Sequence, residues 1–143
     1  MKPLLILENV YLGDRNTAKK LAELKKLGIG SILNVDSVKC HFPQEFNYYK
    51  LHYDDNDQMD FISFFERSSK LINESISKTP ILVHCNGGMH RSPTAIIAYL
   101  IKYKKMTSDQ ALAIIQSKRR PAQPRQACMS ALKIWENSNN KRN

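Results

Sequence analysis

The chain has 143 residues, of which 42% are hydrophobic, and a formal net charge of +9. This length predicts one domain with its own core, and no run approaches the roughly 20 apolar residues that a transmembrane helix needs. The N-terminus lacks the charged, apolar and small-residue regions of a signal peptide, so neither secretion nor a membrane partner is expected.

The first half of the chain alternates predicted strands with predicted helices. Short aliphatic runs bounded by turn residues are typical of buried strands, and apolar residues three and four apart are typical of amphipathic helices. In chain order these patterns predict a strand at Ile6–Leu12, a helix at Thr17–Leu27, strands at Ser31–Val35 and Tyr48–Tyr53, and a long helix through Phe61–Ile76.

The pattern in the second half of the chain predicts one more strand and three helices. The strand covers Ile81–Val83, and the helices cover about 92–104, 108–117 and 124–136. Thr107-x-x-Gln110 has the pattern of a capping box, in which each side chain accepts from the other residue's backbone N–H. Early alternation of strands and helices followed by a helical run indicates an α/β fold with a small mixed sheet.

The most informative segment is 81–94, where a glycine-containing loop joins a strand to an apolar helix. This arrangement cradles a phosphate, because backbone N–H groups and the positive end of the helix dipole face the anion. Cys85 begins the loop and Arg91 ends it. A thiol and a guanidinium that face one phosphate predict attack on phosphorus rather than binding alone.

These residues carry a resemblance to a known family. The chain resembles the small, atypical-type dual-specificity protein phosphatases of the cysteine-dependent protein tyrosine phosphatase superfamily. The resemblance implies a single catalytic domain over residues 1–143, with its core at about 9–136, and a small, mostly parallel, twisted sheet flanked by helices. The matching segments are Asn9-Val10-Tyr11-Leu12-Gly13, Leu33-Asn34-Val35, Phe65-Glu66-Arg67, His84-Cys85-x5-Arg91-Ser92, and Arg119-Arg120-Pro121 with Pro124.

The residues of the loop suggest how the chemistry proceeds. Cys85 is the predicted nucleophile, since the thiolate is the attacking form of cysteine. Ser92 is expected to donate to the sulfur, and Arg91 can bind two phosphoryl oxygens side by side. No cofactor and no metal site are expected. The predicted phosphate-binding residues are Asn86, Gly87, Gly88, Met89, His90 and Arg91, with both glycines expected at positive φ.

A leaving alkoxide or phenoxide takes up a proton, so the reaction needs a general acid above the phosphate. Alignment with the family through Phe65-Glu66-Arg67 implies that Asp55 is this acid, with Asp54 as the alternative. Asp57 and Asp60 are interpreted as capping and helix-dipole charges. After the first step, the same acid would act as the base on the attacking water.

The other histidines and cysteines have competing interpretations. His84 is either a structural residue that orients the loop or a catalytic base. His90, where the family usually has serine, either faces solvent or contacts the substrate at the rim. Cys40 is either inert or the partner of Cys85 in a protective disulfide, and Cys128 is predicted in the core. These scattered cysteines match neither a disulfide framework nor paired zinc ligands, which predicts a reducing compartment, the cytoplasm or also the nucleus.

Two positions depart from the pattern of the family. Arg125 follows Pro124 where asparagine is usual, so it either replaces a bracing contact to the signature loop or faces the substrate. Pro93 stands where alanine or threonine is usual, and proline is well tolerated in a first helical turn. Neither change removes an atom that performs the chemistry.

The excess positive charge lies entirely in the C-terminal part. Residues 1–84 carry 11 Lys or Arg and 11 Asp or Glu, whereas residues 85–143 carry 11 Lys or Arg against Asp109 and Glu136 alone. This indicates either a solvated basic surface or a positive field that speeds encounter with phosphorylated substrates. Basic charge alone does not imply an obligate nucleic-acid partner.

The predicted function is metal-independent hydrolysis of phosphotyrosine and phosphoserine/threonine on proteins through a cysteinyl-phosphate intermediate. The partners would be phosphorylated protein substrates. An RNA 5′-phosphatase or a phosphoinositide phosphatase is an alternative, although residues 86–90 lack the lysine of the inositide type. A phosphate-binding pseudophosphatase is the non-enzymatic alternative, but such proteins generally lose the cysteine or the arginine, and this chain has both.

Overall fold

Five short strands form one sheet with the signature strand at its centre. In the computed structural model, which describes residues 1–36, 38–53 and 56–140, the strands are β1 (Leu4–Leu7), β2 (Val10–Gly13), β3 (Ser31–Asn34), β4 (Asn47–Lys50) and β5 (Ile81–His84). Their order is β1-β2-β5-β3-β4, with β1 antiparallel to β2 and all other neighbours parallel. The predicted small, mostly parallel sheet is confirmed.

Helices lie on both sides of this sheet. One face carries a short 3-10 helix and α1, and the other carries the four longer helices. The bounds are Thr17–Lys19 for the 3-10 helix, Leu21–Lys26 for α1, Phe61–Ile76 for α2, Arg91–Lys104 for α3, Ser108–Lys118 for α4 and Gln126–Asn140 for α5.

The central strand β5 contributes to a core on each face of the sheet. Ile81 and Val83 pack into the large core with α2 to α5, whereas Leu82 packs into the smaller core with Leu24 of α1 and Ile32 of β3. Successive side chains of a strand point to opposite faces, so a strand covered on both sides has a continuous apolar run. This explains why the strand shows no polar alternation.

Helix α3 is the most deeply buried helix of the large core. Its side chains from Ser92 to Ile101 are all buried, and Trp135 of α5 donates its indole N–H to the carbonyl of Ala98 at 3.1 Å. A helix that is apolar on every side lies inside the protein rather than on its surface. The N-terminus of α3 is therefore fixed relative to the end of β5.

Two predicted helix caps are present. Thr107 and Gln110 form both bonds of the capping box at the start of α4. The carboxylate of Asp60 accepts from the backbone N–H of Ser63 at 3.0 Å, which caps α2. The predictions of the capping box and of Asp60 as a cap are confirmed.

The N-terminal elements differ from the prediction. The single strand predicted at Ile6–Leu12 is wrong, because the chain reverses between β1 and β2 with Asn9 at a φ of 64°. Asparagine tolerates this left-handed conformation, and a turn of this kind leaves little periodic signal. The helix predicted at Thr17–Leu27 is also interrupted, since Lys20 leaves the helical region at φ −94° and ψ 71°.

Candidate active site

Cys85 lies directly after β5 and faces the first turn of α3. Its side chain is 2% exposed, and its Sγ is 3.2 Å from the Oγ of Ser92. The carboxyl ends of parallel strands are where ligands bind in open α/β sheets. The structure therefore brings together two residues that the sequence predicted to act together, at the positive end of a 14-residue helix.

Residues outside the signature loop bind its carbonyl oxygens. The N–H of Arg15 donates to Asn86 O at 2.9 Å, Arg119 Nη2 donates to Gly87 O at 2.9 Å, and the N–H of Gln123 donates to Met89 O at 2.7 Å. Among the described residues, nothing accepts from the backbone N–H groups of 86–89 or of Arg91. These donors are thus available for an anion.

Gly88 has a conformation that favours glycine. Its φ is 69°, and an added Cβ would lie 3.1 Å from the carbonyl oxygen of Gly13. The positive φ predicted for Gly87 is wrong, because among the described glycines only Gly28 and Gly88 have one. A single left-handed residue is enough to turn the loop between Cys85 and Arg91.

His84 supports the loop from within the core. The ring is buried, and its Nδ1 lies 3.4 Å from the carbonyl oxygen of Cys85. Burial lowers the pKa of His84, although the Cys85 carbonyl and the charge of Asp36 oppose the shift. A buried, neutral imidazole beside the loop backbone fits the structural interpretation of this residue.

His90 is partly buried, which disfavours the interpretation that it simply faces solvent, and a contact with the substrate stays a prediction. Its ring packs edge-on against Tyr53 at a centroid distance of 5.2 Å, and its Nδ1 accepts from the backbone N–H of Arg125 at 3.3 Å. The hydroxyl of Thr94 donates to the carbonyl of His90 at 2.8 Å. The residue that replaces the usual serine therefore ties the loop to the start of α5.

Arg125 and Asp57 connect the segment before α2 to α5. Arg125 Nη2 is 3.6 Å from Asp57 Oδ1, and 34% and 63% of the two side chains are exposed. Asp57 therefore pairs with a cation, and its role as a capping or helix-dipole charge stays a prediction. Asp55, the predicted general acid, and Asp54, its alternative, lie outside the described residues.

The other two cysteines lie apart from this chemistry. All three carry free thiols. Cys128 is buried in the large core, as predicted, and burial raises its pKa. Its Sγ lies 3.4 Å from the hydroxyl of Thr94. Cys40 is partly buried, and its Sγ lies 3.7 Å from Nδ2 of Asn34.

Sequence reasoning missed two arginines that position the loop. Arg119 was part of a family match but had no role assigned, and Arg15 was not singled out. The guanidinium of Arg15 forms a bidentate pair with Asp36 at 3.1 and 3.0 Å, and the Asp36 side chain is 0% exposed. These partners are 21 residues apart in the chain, so no local pattern in the sequence could pair them.

The described residues contain no group of three or more His, Cys, Asp or Glu that could hold a metal ion. Metal independence stays a prediction. Within the same part of the chain, no helix is both long enough and apolar enough to cross a membrane.

Known proteins match this chain along almost all of its length. Residues 10–138 match the family described as dual specificity phosphatase, catalytic domain. The chain belongs to this family, and the resemblance predicted from the sequence is confirmed.

The curated relatives are much longer than this chain. The MAP kinase phosphatase with leucine-rich repeats protein 3 of Dictyostelium discoideum is 36% identical over 124 residues, which are 85% of this chain and 14% of that protein. Dual specificity protein phosphatase 9 of Homo sapiens is 31% identical over 140 residues, which are 95% of this chain and 36% of that protein. The chain thus spans well under half the length of either relative.

A solved structure of similar size shares the fold. The human tyrosine phosphatase-like serine/threonine/tyrosine-interacting protein matches 96% of this chain and 97% of its own, with a TM-score of 0.90 and 29% identity. Its name describes a phosphatase-like protein that interacts with others, so the fold alone does not distinguish catalysis from binding.

Proposed function

We propose that this chain is a protein phosphatase that hydrolyses phosphotyrosine and phosphoserine/threonine through a cysteinyl-phosphate intermediate. The observation that supports this most is the pairing of Cys85 Sγ with Ser92 Oγ at 3.2 Å, at the N-terminus of α3. The hydroxyl of Ser92 can donate to the sulfur, and the thiolate is the form of cysteine that attacks.

The proposed reaction has two steps. The Cys85 thiolate attacks phosphorus, the bond to the substrate oxygen breaks, and that oxygen takes a proton from Asp55. Water, deprotonated by the same carboxylate, then attacks the phosphocysteine and releases phosphate and the thiolate. Arg91 and the loop N–H groups bind the equatorial oxygens, where charge is stabilised in the transition state.

Binding without turnover is the second candidate, and the likeness to a phosphatase-like interacting protein favours it. Cys85, Arg91 and Ser92 are all present at the site, and a protein that only binds phosphate would not need the thiol. Catalysis therefore has the stronger support.

One panel of substrates tests the proposal. Phosphate release is measured in EDTA from phosphotyrosine and phosphoserine peptides, a phosphoinositide and 5′-triphosphate RNA. Both peptides should be hydrolysed, and vanadate should inhibit. Turnover of the lipid or the RNA alone would support the alternative substrates. Tight peptide binding without turnover would support a binding protein. If activity is lost in EDTA and Mg²⁺ restores it, metal independence is contradicted.

We also propose that the protein works in a reducing compartment, the cytoplasm or also the nucleus. The reason is chemical, since a nucleophilic thiol must stay reduced to act. Fractionation of cells that express a tagged chain tests this directly, and recovery from the secretory compartments would contradict it.

A further inference from the structure

A continuous groove runs between helix α2 and the outer strand β4. It consists of three adjoining cavities of about 390, 520 and 130 Å³. Tyr49 and Glu74 line both the first and the second cavity, and Leu51 and Arg67 line both the second and the third. We call this groove, which is lined by Asn47 at one end and by Asp60 at the other, the edge groove.

The floor of the edge groove is an open sheet edge. β4 is the last strand of the sheet, and the N–H groups of Asn47 and Leu51 donate to carbonyls of residues 30 and 34 on the β3 side. Because the backbone alternates with a period of two, Tyr48 and Lys50 direct their N–H and C=O groups outward. No described residue outside the sheet bonds to these backbone groups.

The groove carries a surplus of positive charge. Lys50, Arg67 and Lys70 are exposed along its middle, and no carboxylate among the described residues forms an ion pair with them. The ammonium of Lys50 donates to the carbonyl of Val38 at 3.1 Å, which is an uncharged acceptor. Glu74 is the one acidic side chain among the residues that line the middle cavity.

One end of the groove approaches the signature loop. Phe64 lines the smallest cavity and its ring packs against Tyr53 at a centroid distance of 5.0 Å, and Tyr53 packs in turn against His90 of the loop at 5.2 Å. A peptide that follows β4 would therefore leave the groove close to the proposed active site.

We infer that the edge groove binds an extended acidic segment of the phosphoprotein substrate, which adds to β4 as a further strand. Main-chain bonds to Tyr48 and Lys50 would provide affinity, and carboxylates opposite Lys50, Arg67 and Lys70 would provide selectivity. A lysine on an outer strand also discourages pairing between identical chains, and an acidic partner reverses that effect. The inference rests on the proposed function, because it assigns the groove to the substrate.

Binding of an unphosphorylated peptide tests the charges without catalysis. The probe is a fluorescein-labelled peptide of alternating glutamate and valine, measured by anisotropy against the full chain. The K50E/K70E variant should bind about tenfold more weakly, since two attractive contacts become repulsive. K26E/K118E, which makes the same total charge change at exposed lysines of α1 and α4 outside the groove, should bind normally. Equal binding by K50E/K70E, or equal loss in K26E/K118E, would overturn the inference.

N-methylated peptides test the strand addition. Alternate N–H groups of an added strand point toward β4, so one set of methylated positions should abolish binding and the other set should leave it unchanged. Loss with both sets, or with neither, would contradict pairing along β4. Sedimentation of the chain alone gives a further test. If the chain forms a dimer and K50E dissociates it, this edge binds a second copy of the chain instead of the substrate.

Turnover separates this inference from the proposed function. With a phosphotyrosine peptide linked to the acidic segment, K50E/K70E should raise KM about tenfold and leave kcat unchanged, while its rate with an aryl phosphate stays normal. Normal KM with the linked peptide would overturn the inference alone. Absence of aryl phosphatase activity in the unmodified chain would contradict the proposed function, and the anisotropy result would still decide whether the groove binds the peptide.

Discussion

The signature loop and the segment before α2 differ in how the rest of the molecule positions them. The loop lies between β5 and α3, and three residues from two other parts of the chain bind its carbonyls. The segment at 56–60 has the Asp60 cap and an exposed pair between Asp57 and Arg125 at 3.6 Å. Exposed pairs of this kind contribute little to stability.

This difference corresponds to two chemical tasks. The nucleophile and the anion donors must be in place before the phosphate arrives, since preorganised donors need no rearrangement during the reaction. A general acid has to reach leaving oxygens of different length on serine, threonine and tyrosine. The loop, whose carbonyls are bound by Arg15, Arg119 and Gln123, meets the first of these requirements.

Removing the nucleophile should have the largest effect. Cys85→Ser should lower kcat about 10⁶-fold, because a serine hydroxyl at this position is not ionised and no other residue can form the intermediate. Phosphopeptide binding should persist, since Arg91 and the loop N–H groups remain, and isothermal titration measures it. Substantial turnover by this variant would rule out Cys85 as the nucleophile.

Replacing the acid should have an effect that depends on the leaving group. Asp55→Asn should cost roughly 10²–10⁴-fold with an alkyl phosphate and much less with an activated aryl phosphate. The alkaline limb of the rate profile should also disappear, which a pH series measures. Asp57→Asn is the matched control and should leave the rates nearly intact.

The alternative acid gives a clear contrary outcome. If Asp54→Asn shows the leaving-group-dependent loss and Asp55→Asn does not, the alignment of this segment is wrong by one residue. If neither shows it, the acid lies elsewhere and the comparison of the two regions loses its chemical meaning.

How far the sequence predicts the site depends on the distance between partners along the chain. The pairing of Cys85 with Ser92 and the capping box at Thr107 are local, and both were predicted. The bonds from Arg15 and Arg119 to the loop join residues 71 and 32 positions apart, so no periodicity reveals them. The turn at Asn9 and the break at Lys20 are single-residue changes of backbone conformation, which hydrophobic patterns do not record.

Loosening the loop without removing a reacting group should have an intermediate effect. Arg119→Met removes the donor to Gly87 O, so the loop N–H groups lose part of their alignment with the phosphate. A small displacement at a reacting centre can cost about 10²-fold, and we expect a loss of this size in kcat/KM with weaker vanadate inhibition. Arg119→Lys should restore part of the rate, and Arg120→Met, a change at the exposed neighbour, should have no effect. Normal vanadate inhibition in Arg119→Met would show that the residue does not position the loop.

The smallest effect should come from the histidine beneath the loop, and it should appear in stability rather than in rate. Burial lowers the pKa of His84 from its usual 6.5 in the folded chain. The unfolded chain therefore binds the proton first, so the free energy of unfolding should fall as the pH drops below about 6.5 until the folded pKa is reached. One such group gives a slope of at most about 1.4 kcal/mol per pH unit.

Denaturant unfolding between pH 5 and 7 measures this slope. The free energy of unfolding should depend less steeply on pH in His84→Gln than in the unmodified chain. His52→Gln, a change at an exposed histidine, is the control and should keep the full slope. An unchanged slope in His84→Gln would mean that protonation of this buried ring does not contribute to the pH dependence of the free energy of unfolding.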